Sequence, residues 1–321
     1  MIWPVIPVIF IFGFIFLWPS KMLNRRAFLR LITSLTVAGG GIAIYGSLIE
    51  PLFRLRVTRY AFTPPTWPKD LRLRLAIVAD LHACDPWMTA ERVMEIVDLT
   101  NSQGADCALL VGDYVATHKF QRQEPASAWS RALARLDAPL GVHAVLGNHD
   151  WWADKASMRR GEGLPDVGKA MQDAGLAVYQ NDAVRLVKDG KAFWIVGLGD
   201  QIAFVPVRGW RHPRYGIDDL TGALTKVADD APVILLAHEP DIFPSVPARV
   251  SLTLSGHTHG GQIDFFGWRP NVPSHYGARY AYGHKIENDR HLVVSGGLGC
   301  SIAPVRIGCP PEIVVIDLGV A

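Results

Sequence analysis

Arg74-Leu75-Ala76-Ile77-Val78-Ala79 runs straight into Asp80-Leu81-His82. The first six residues form a short apolar run, the pattern of a buried strand. The next three supply a carboxylate and an imidazole at the point where that strand must end. The same junction recurs along the chain. Cys107 to Val111 leads into Gly112-Asp113, and Val142 to Leu146 into Gly147-Asn148-His149-Asp150. Val233 to Ala237 leads into His238, and Val250 to Leu254 is followed by Gly256-His257-Thr258-His259. In α/β folds the reactive groups gather beyond the carboxyl ends of the strands. Five such endings therefore converge on one place, and they use five of the eleven histidines.

The intervening segments support that reading. Helical spacing begins near Met88, with Val93, Ile96, Val97 and Thr100 on one side, and further helices are expected over Ala126 to Leu136, Val167 to Ala174 and Asp218 to Val227. Val184 to Val187 and Phe193 to Val196 flank Asp189-Gly190, a strong hairpin signal. The second half is richer in strands, with further ones expected at Gln262 to Phe265, His291 to Val294 and Ile313 to Ile316. Alternation followed by strands implies a layered α/β sandwich containing two sheets.

Composition sets the bounds. Lys plus Arg number 32 and Asp plus Glu 30, so the formal charge is only +2, against a nucleic-acid binder. Four cysteines without a C-x-x-C pair are too few for a disulfide scaffold. Cys107 reads as core, and Cys300 and Cys309 either pair or pack unpaired. Apolar residues make up 49% of the chain and concentrate near its start. Residues 3–18 carry no charge, and a second apolar stretch covers 31–49; each is near the lower length for a spanning helix, roughly 17 to 25 residues. Trp3 and Trp18 suit interface positions.

Between the apolar stretches, Arg25-Arg26-Ala27-Phe28-Leu29 resembles a twin-arginine export signal. Met22 stands just before it as an alternative start. Without a clean cleavage site, the leader reads as an uncleaved anchor. The basic segment Lys21 to Arg30 places the following domain outside the cytoplasm by the positive-inside rule, while Arg54, Arg56 and Arg59 pull the other way. The expected division is an anchor over 1–59, a Pro-rich linker over 60–70 and a catalytic domain over 71–321. The expected location is the cell inner membrane, with the domain on the extracytoplasmic side and the bilayer as a partner.

Carboxylates, imidazoles and one amide oxygen suit Mn, Fe or Zn. Seven such donors are too many for one ion. They suit two ions bridged by a carboxylate, about 3.5–4 Å apart, the geometry of phosphoester hydrolysis by in-line displacement.

This order of motifs resembles the calcineurin-like metallophosphoesterase family over about residues 72–318. The resemblance implies a four-layer α/β/β/α sandwich of two mixed sheets flanked by helices. It implies two divalent metal ions, with Mn preferred. Asp80, His82 and His259 would hold the first, Asn148, His238 and His257 the second, and Asp113 would bridge them. His149 matches the catalytic histidine, and Asp150 would orient its ring. Cys84 falls close to these ligands and is expected only to pack. Gly260-Gly261 would let the backbone approach the metals.

The segments Gly297 to Cys300 and Pro304 to Arg306 resemble a membrane-anchored bacterial branch of the family. It includes phosphodiesterases, envelope enzymes and UDP-2,3-diacylglucosamine hydrolases of lipid A synthesis. Arg306 either binds a substrate phosphate or forms a surface salt bridge. Trp151 and Trp152 are either core or substrate contacts. The aromatic, basic stretch from Phe204 to Tyr215 is a lid, a membrane-facing rim or a plain surface loop. The implied function is hydrolysis of a phosphodiester or pyrophosphate in an envelope or lipid-linked substrate by a monomeric enzyme. The alternatives are UDP-2,3-diacylglucosamine hydrolysis and a non-catalytic metal-binding scaffold.

Overall fold

A computed structural model describes residues 24–117, 121–205 and 215–320. Residues 3–18, the first apolar stretch, and most of the Phe204 to Tyr215 segment lie outside these. The chain divides into two units, residues 1–43 and 44–321.

The described part of the first unit belongs to helix α1 (Arg25–Ile44). Asn24 starts it, its side-chain oxygen accepting the Ala27 N–H at 2.9 Å. Phe28, Leu31, Leu35 and Val37 are all exposed. The chain stays helical through a π-helical turn (Tyr45–Ile49) and α2 (Glu50–Phe53). The 29-residue run Arg25–Phe53 has a mean hydropathy of 1.6 in its most apolar window, long and apolar enough to cross a membrane.

In chain order the second unit continues with β1 (Arg56–Phe62), β2 (Leu73–Val78), β3 (Cys84–Asp85), α3 (Ala90–Asn101), β4 (Cys107–Val111) and β5 (Arg122–Gln123). Then come α4 (Ala126–Leu133), β6 (Val142–Val145), α5 (Asn148–Trp152), α6 (Lys155–Arg160), α7 (Asp166–Asp173) and β7 (Ala177–Val178). The remainder is β8 (Asp182–Lys188), β9 (Lys191–Gly197), α8 (Leu220–Thr225), β10 (Val233–Leu236), β11 (Val250–Ser255), β12 (Gly283–Glu287), β13 (Arg290–Val294) and β14 (Glu312–Leu318).

One sheet has the order β1-β14-β2-β4-β6-β7, the other β12-β13-β11-β10-β9-β8. Both are mixed, with parallel centres: β2, β4 and β6 in the first, and β9, β10, β11 and β13 in the second. The sheets bury a common layer in which Leu75, Ile77 and Leu109 meet Ile195, Leu236 and Leu254. The outer face of the first sheet is covered by α3, α4 and α7 through Val93, Ile96, Trp129, Leu133 and Met171. The outer face of the second packs on Ala223 of α8 and on Phe243. The layers are therefore α/β/β/α, as expected. The β8–β9 hairpin turns at Asp189 (φ 52°) and Gly190 (φ 77°), both left-handed as a two-residue hairpin turn requires.

Two expectations need correction. Residues 56–62 were assigned to the anchor and the linker, yet β1 pairs in parallel with β14 along its whole length, Arg56 opposite Glu312 and Phe62 opposite Leu318. Thr58, Tyr60 and Phe62 lie partly buried on one face, while Arg59 and Ala61 on the other are exposed, as in a half-buried edge strand. The buried Glu312 carboxylate fixes it, bonded to Arg56, Thr58 and Tyr282. Likewise Trp67 does not float in a linker. It is buried between the sheets and donates its indole N–H to the Leu71 carbonyl at 2.8 Å. Second, Gln262 to Phe265 is not a strand. Gly260, Gly261 and Gln262 are all left-handed (φ 61°, 85° and 57°), which breaks extended pairing and leaves two isolated bridges, Ile263 to Ile307 and Phe265 to Trp268.

Leu254 is fully buried between the sheets. Leu254→Ala should lower the unfolding free energy by about 2–5 kcal/mol, measured by chemical denaturation of the full chain. A loss below about 1 kcal/mol would mean that the layer collapses around the gap.

Candidate metal centre

The five strand endings meet as expected. Of the seven expected ligands, five hold left-handed backbone: Asp80 (φ 53°), His82 (46°), Asp113 (57°), His257 (69°) and His259 (52°). This conformation costs non-glycine residues of order 1–3 kcal/mol each and clusters at functional sites. Here it turns the chain abruptly off each strand, so short side chains point back into one space. Close approach does the rest. At Gly147 an added Cβ would lie 2.3 Å from Asp113 Oδ1 and 2.7 Å from His238 Nε2. The tight approach thus falls at Gly147, whereas Gly260 and Gly261 face Cys309 and the Arg269–Asn271 segment.

Three overlapping donor groups result among the described residues, each with donor atoms within 4.8 Å of one another: Asp80, His82 and His259 form one set, Asp113, His238 and His257 another, and His82, Asp113 and His149 link the two. Asn148 joins the second, its side-chain oxygen 2.9 Å from His257 Nδ1. Asp113 stands between them: its Oδ2 lies 3.6 Å from His82 Nε2 and 3.2 Å from His238 Nε2. Its Oδ1 accepts the His149 N–H at 2.9 Å. Asp80 Oδ1 accepts the His257 N–H at 2.8 Å, which ties the sets together.

The outward nitrogens set the tautomers. His82 Nδ1–H donates to the Val115 carbonyl (3.1 Å) and His238 Nδ1–H to the Val111 carbonyl (2.7 Å), turning Nε2 of each inward, as metal-binding histidines do. His259 is held differently. The Arg306 guanidinium can only donate, so His259 Nδ1 accepts it (3.2 Å) and its proton sits on Nε2, facing His82 Nε2 at 3.0 Å. To hold a cation at that nitrogen as a neutral imidazole, His259 would carry its proton on Nδ1 and the Arg306 contact would have to give way.

Charge and burial match a cation site. Asp80 Oδ2 and His238 Nε2 are buried without a hydrogen-bond partner. Burial, with the Asp113 charge nearby, pushes the Asp80 carboxyl up to about 7. Asp113 is held well below the usual carboxylate range: burial opposes ionisation, but His238 and His149 outweigh it. Burial and neighbouring His149 push His82 down to about 3, which keeps a neutral imidazole ready to bind metal. Two buried carboxylates among inward lone pairs fit two divalent cations.

Asp150 does something other than expected. It makes no bond to the His149 ring; its two oxygens accept the N–H groups of Asp113 (3.1 Å), Tyr114 (2.8 Å), Val115 (3.2 Å) and Gly147 (2.9 Å). The His149 ring is instead held by Thr117 Oγ1 at Nδ1 (2.6 Å), with Ser301 Oγ 3.3 Å from Nε2. Neither hydroxyl belongs to a motif, and no local pattern marks them. Arg306 fits neither expected reading, being wholly buried and bonded to the Gly299 and Cys309 carbonyls and to His259. The two tryptophans divide the expected alternatives: Trp151 packs in the interior against Ala203 and Phe204, and Trp152 lines the cleft, its ring 5.2 Å from that of His149. On helix α5, positions 149 and 152 share a face and 151 does not. Cys84 is buried outside the donor sets, and Cys300 and Cys309 are free thiols.

The cleft over the two sets has a volume of about 660 Å3. His149, Asn148 and His257 form its polar floor, and Ile263, Ile302 and Val305 one flank. Residues 73–261 match the calcineurin-like phosphoesterase family. The chain belongs to that family. Among its relatives, the uncharacterised metallophosphoesterase YkuE of Bacillus subtilis is 29% identical over 93% of this chain and 98% of its own. Phosphodiesterase YaeI of Escherichia coli is 29% identical over 92% of this chain and 100% of its own. A transmembrane protein with metallophosphoesterase domain from Danio rerio is 27% identical over 69% of this chain and 48% of its own. This calcineurin-like protein is a metallophosphoesterase.

Because Asp113 faces both donor sets, Asp113→Ala should abolish binding of both metals, read by elemental analysis of the purified chain. Two ions retained would refute its bridging place.

Proposed function

We propose that this metallophosphoesterase hydrolyses a phosphodiester or pyrophosphate in an envelope or lipid-linked substrate while anchored to the inner membrane. The observation that carries the reading is the pair of donor sets meeting at Asp113. Two divalent cations bound there, with Mn preferred, would supply Lewis acidity and acidify a water into a nucleophile. Asp80, His82 and His259 would hold one cation, Asn148, His238 and His257 the other, and Asp113 both.

The chain's own groups supply the rest. His149 stands over both sets at the cleft floor, where it would protonate the leaving oxygen or steady the charged phosphoryl group. Thr117 fixes its Nδ1, so Nε2 meets substrate. Asp150 keeps the Asp113 turn and the Gly147 turn in register through its four backbone contacts. The complete ligand set argues against a non-catalytic scaffold. The name of the Escherichia coli relative supports diester cleavage, and that of the Danio rerio relative supports membrane attachment, as does the apolar run Arg25–Phe53.

His149→Ala should retain both metals and lower turnover of a soluble diester by roughly 10²–10⁴-fold, the usual scale for a general acid. Unchanged turnover would remove His149 from the chemistry. Paired reporters fused at the C-terminus, one active only outside the inner membrane and one only inside, should show an outside domain. An inside signal would overturn the export reading of Arg25-Arg26 and favour UDP-2,3-diacylglucosamine as substrate.

A further inference from the structure

The flank of the cleft continues into an aromatic projection. Phe265 and Trp268 exchange backbone hydrogen bonds (3.0 and 3.1 Å) around Phe266-Gly267, closing a two-residue turn. Both central residues are left-handed, Phe266 at φ 54° and Gly267 at φ 93°. The first such position favours Asn or Asp. Here it carries a phenyl ring that is fully exposed, and Trp268 beside it is 64% exposed. A strained backbone that holds an aromatic ring out in water points to use of that ring.

The base of the turn is firm. Asp264 pairs with Arg269 at 2.7 Å, the Asp264 N–H donates to the Ile307 carbonyl (2.8 Å), and the Ile307 N–H donates to the Gln262 carbonyl (2.9 Å). The same loop receives the end of the apolar helix. The Arg306 N–H donates to the Gly46 carbonyl (2.8 Å), and Gly46 packs on Val305 and Ile307. Leu48, Ile49 and Phe53 of this helical end remain exposed, with Arg54 next to them. One loop, 305–308, thus joins three things: the helical end, the aromatic turn and, through Val305, the apolar flank of the cleft, whose lip carries the exposed Ile302.

We propose that the Phe265–Trp268 turn sits in the bilayer surface and that the cleft takes a lipid phosphoester from it, phosphate over His149 and acyl portion along Ile263, Ile302 and Val305. Exposed Phe and Trp on a firm base are the chemistry of a lipid interface. Continuity with the helical end selects the bilayer over a protein partner. The substrate half of the proposal rests on the phosphoesterase reading above, and the bilayer half on the membrane anchoring proposed there.

The test uses the full chain reconstituted in vesicles of phosphatidylethanolamine and phosphatidylglycerol. A nitroxide is attached through Phe266→Cys, and separately through Trp268→Cys, both outward-facing positions. Relaxation by oxygen should dominate relaxation by a water-soluble nickel chelate at both. Water-like relaxation at both would overturn bilayer contact and leave a protein partner for the turn.

In the second arm the unlabelled chain in detergent hydrolyses bis(4-nitrophenyl) phosphate, and two competitors are compared. Dioctanoyl phosphatidylglycerol should inhibit at a concentration roughly tenfold or more below that needed for glycerophosphoglycerol, because only the former has chains to bury. Equal potency would overturn the lipid substrate. Absence of any hydrolysis by the metal-loaded chain would overturn the phosphoesterase reading instead, with the nitroxide result unaffected.

Discussion

The Asp150 carboxylate is the contact on which the centre depends. Its two oxygens take four backbone N–H groups, three from the turn after β4 and one from the turn after β6. Those turns carry Asp113, Asn148 and His149. A buried carboxylate with four donors spans the gap between adjacent strand ends more rigidly than packing alone, because each bond fixes a direction as well as a distance. Asp113 then presents one oxygen to the His149 amide and the other to both histidine sets. The second sheet is brought to it by His238, whose Nδ1–H reaches the last residue of β4. The candidate metal centre thus also lies at the seam between the sheets.

Much of this was legible in the sequence because the signal was local. A buried strand followed at once by Asp, Asn or His is a pattern over a few residues, and the seven ligand positions come together as that pattern implies. The same holds for the Asp189-Gly190 hairpin and for the helical face of Val93, Ile96 and Val97. What escaped depends on contacts between distant parts of the chain. Thr117 and Ser301 are ordinary hydroxyls until the fold sets them against His149. Arg306 could not be placed, since its partners are carbonyls and a ring that only the tertiary structure supplies. The strand β1 was hidden by its arginines, which read as charge flanking a leader although alternate residues met a sheet.

Arg306 also shows how the second half of the chain serves the first. It is buried in a loop that touches His259 on one side and the end of the apolar helix on the other. Glu50 reaches the same loop, accepting the Gly308 N–H at 3.0 Å. The helical segment around Gly46 and Glu50 is therefore hydrogen-bonded to the loop whose Arg306 side chain meets His259.

The left-handed ligands carry a further consequence. Only glycine accepts such backbone without penalty. At Asp80, His82, Asp113, His257 and His259, replacement by glycine would relieve strain while deleting a donor. Stability and activity are opposed at these five positions.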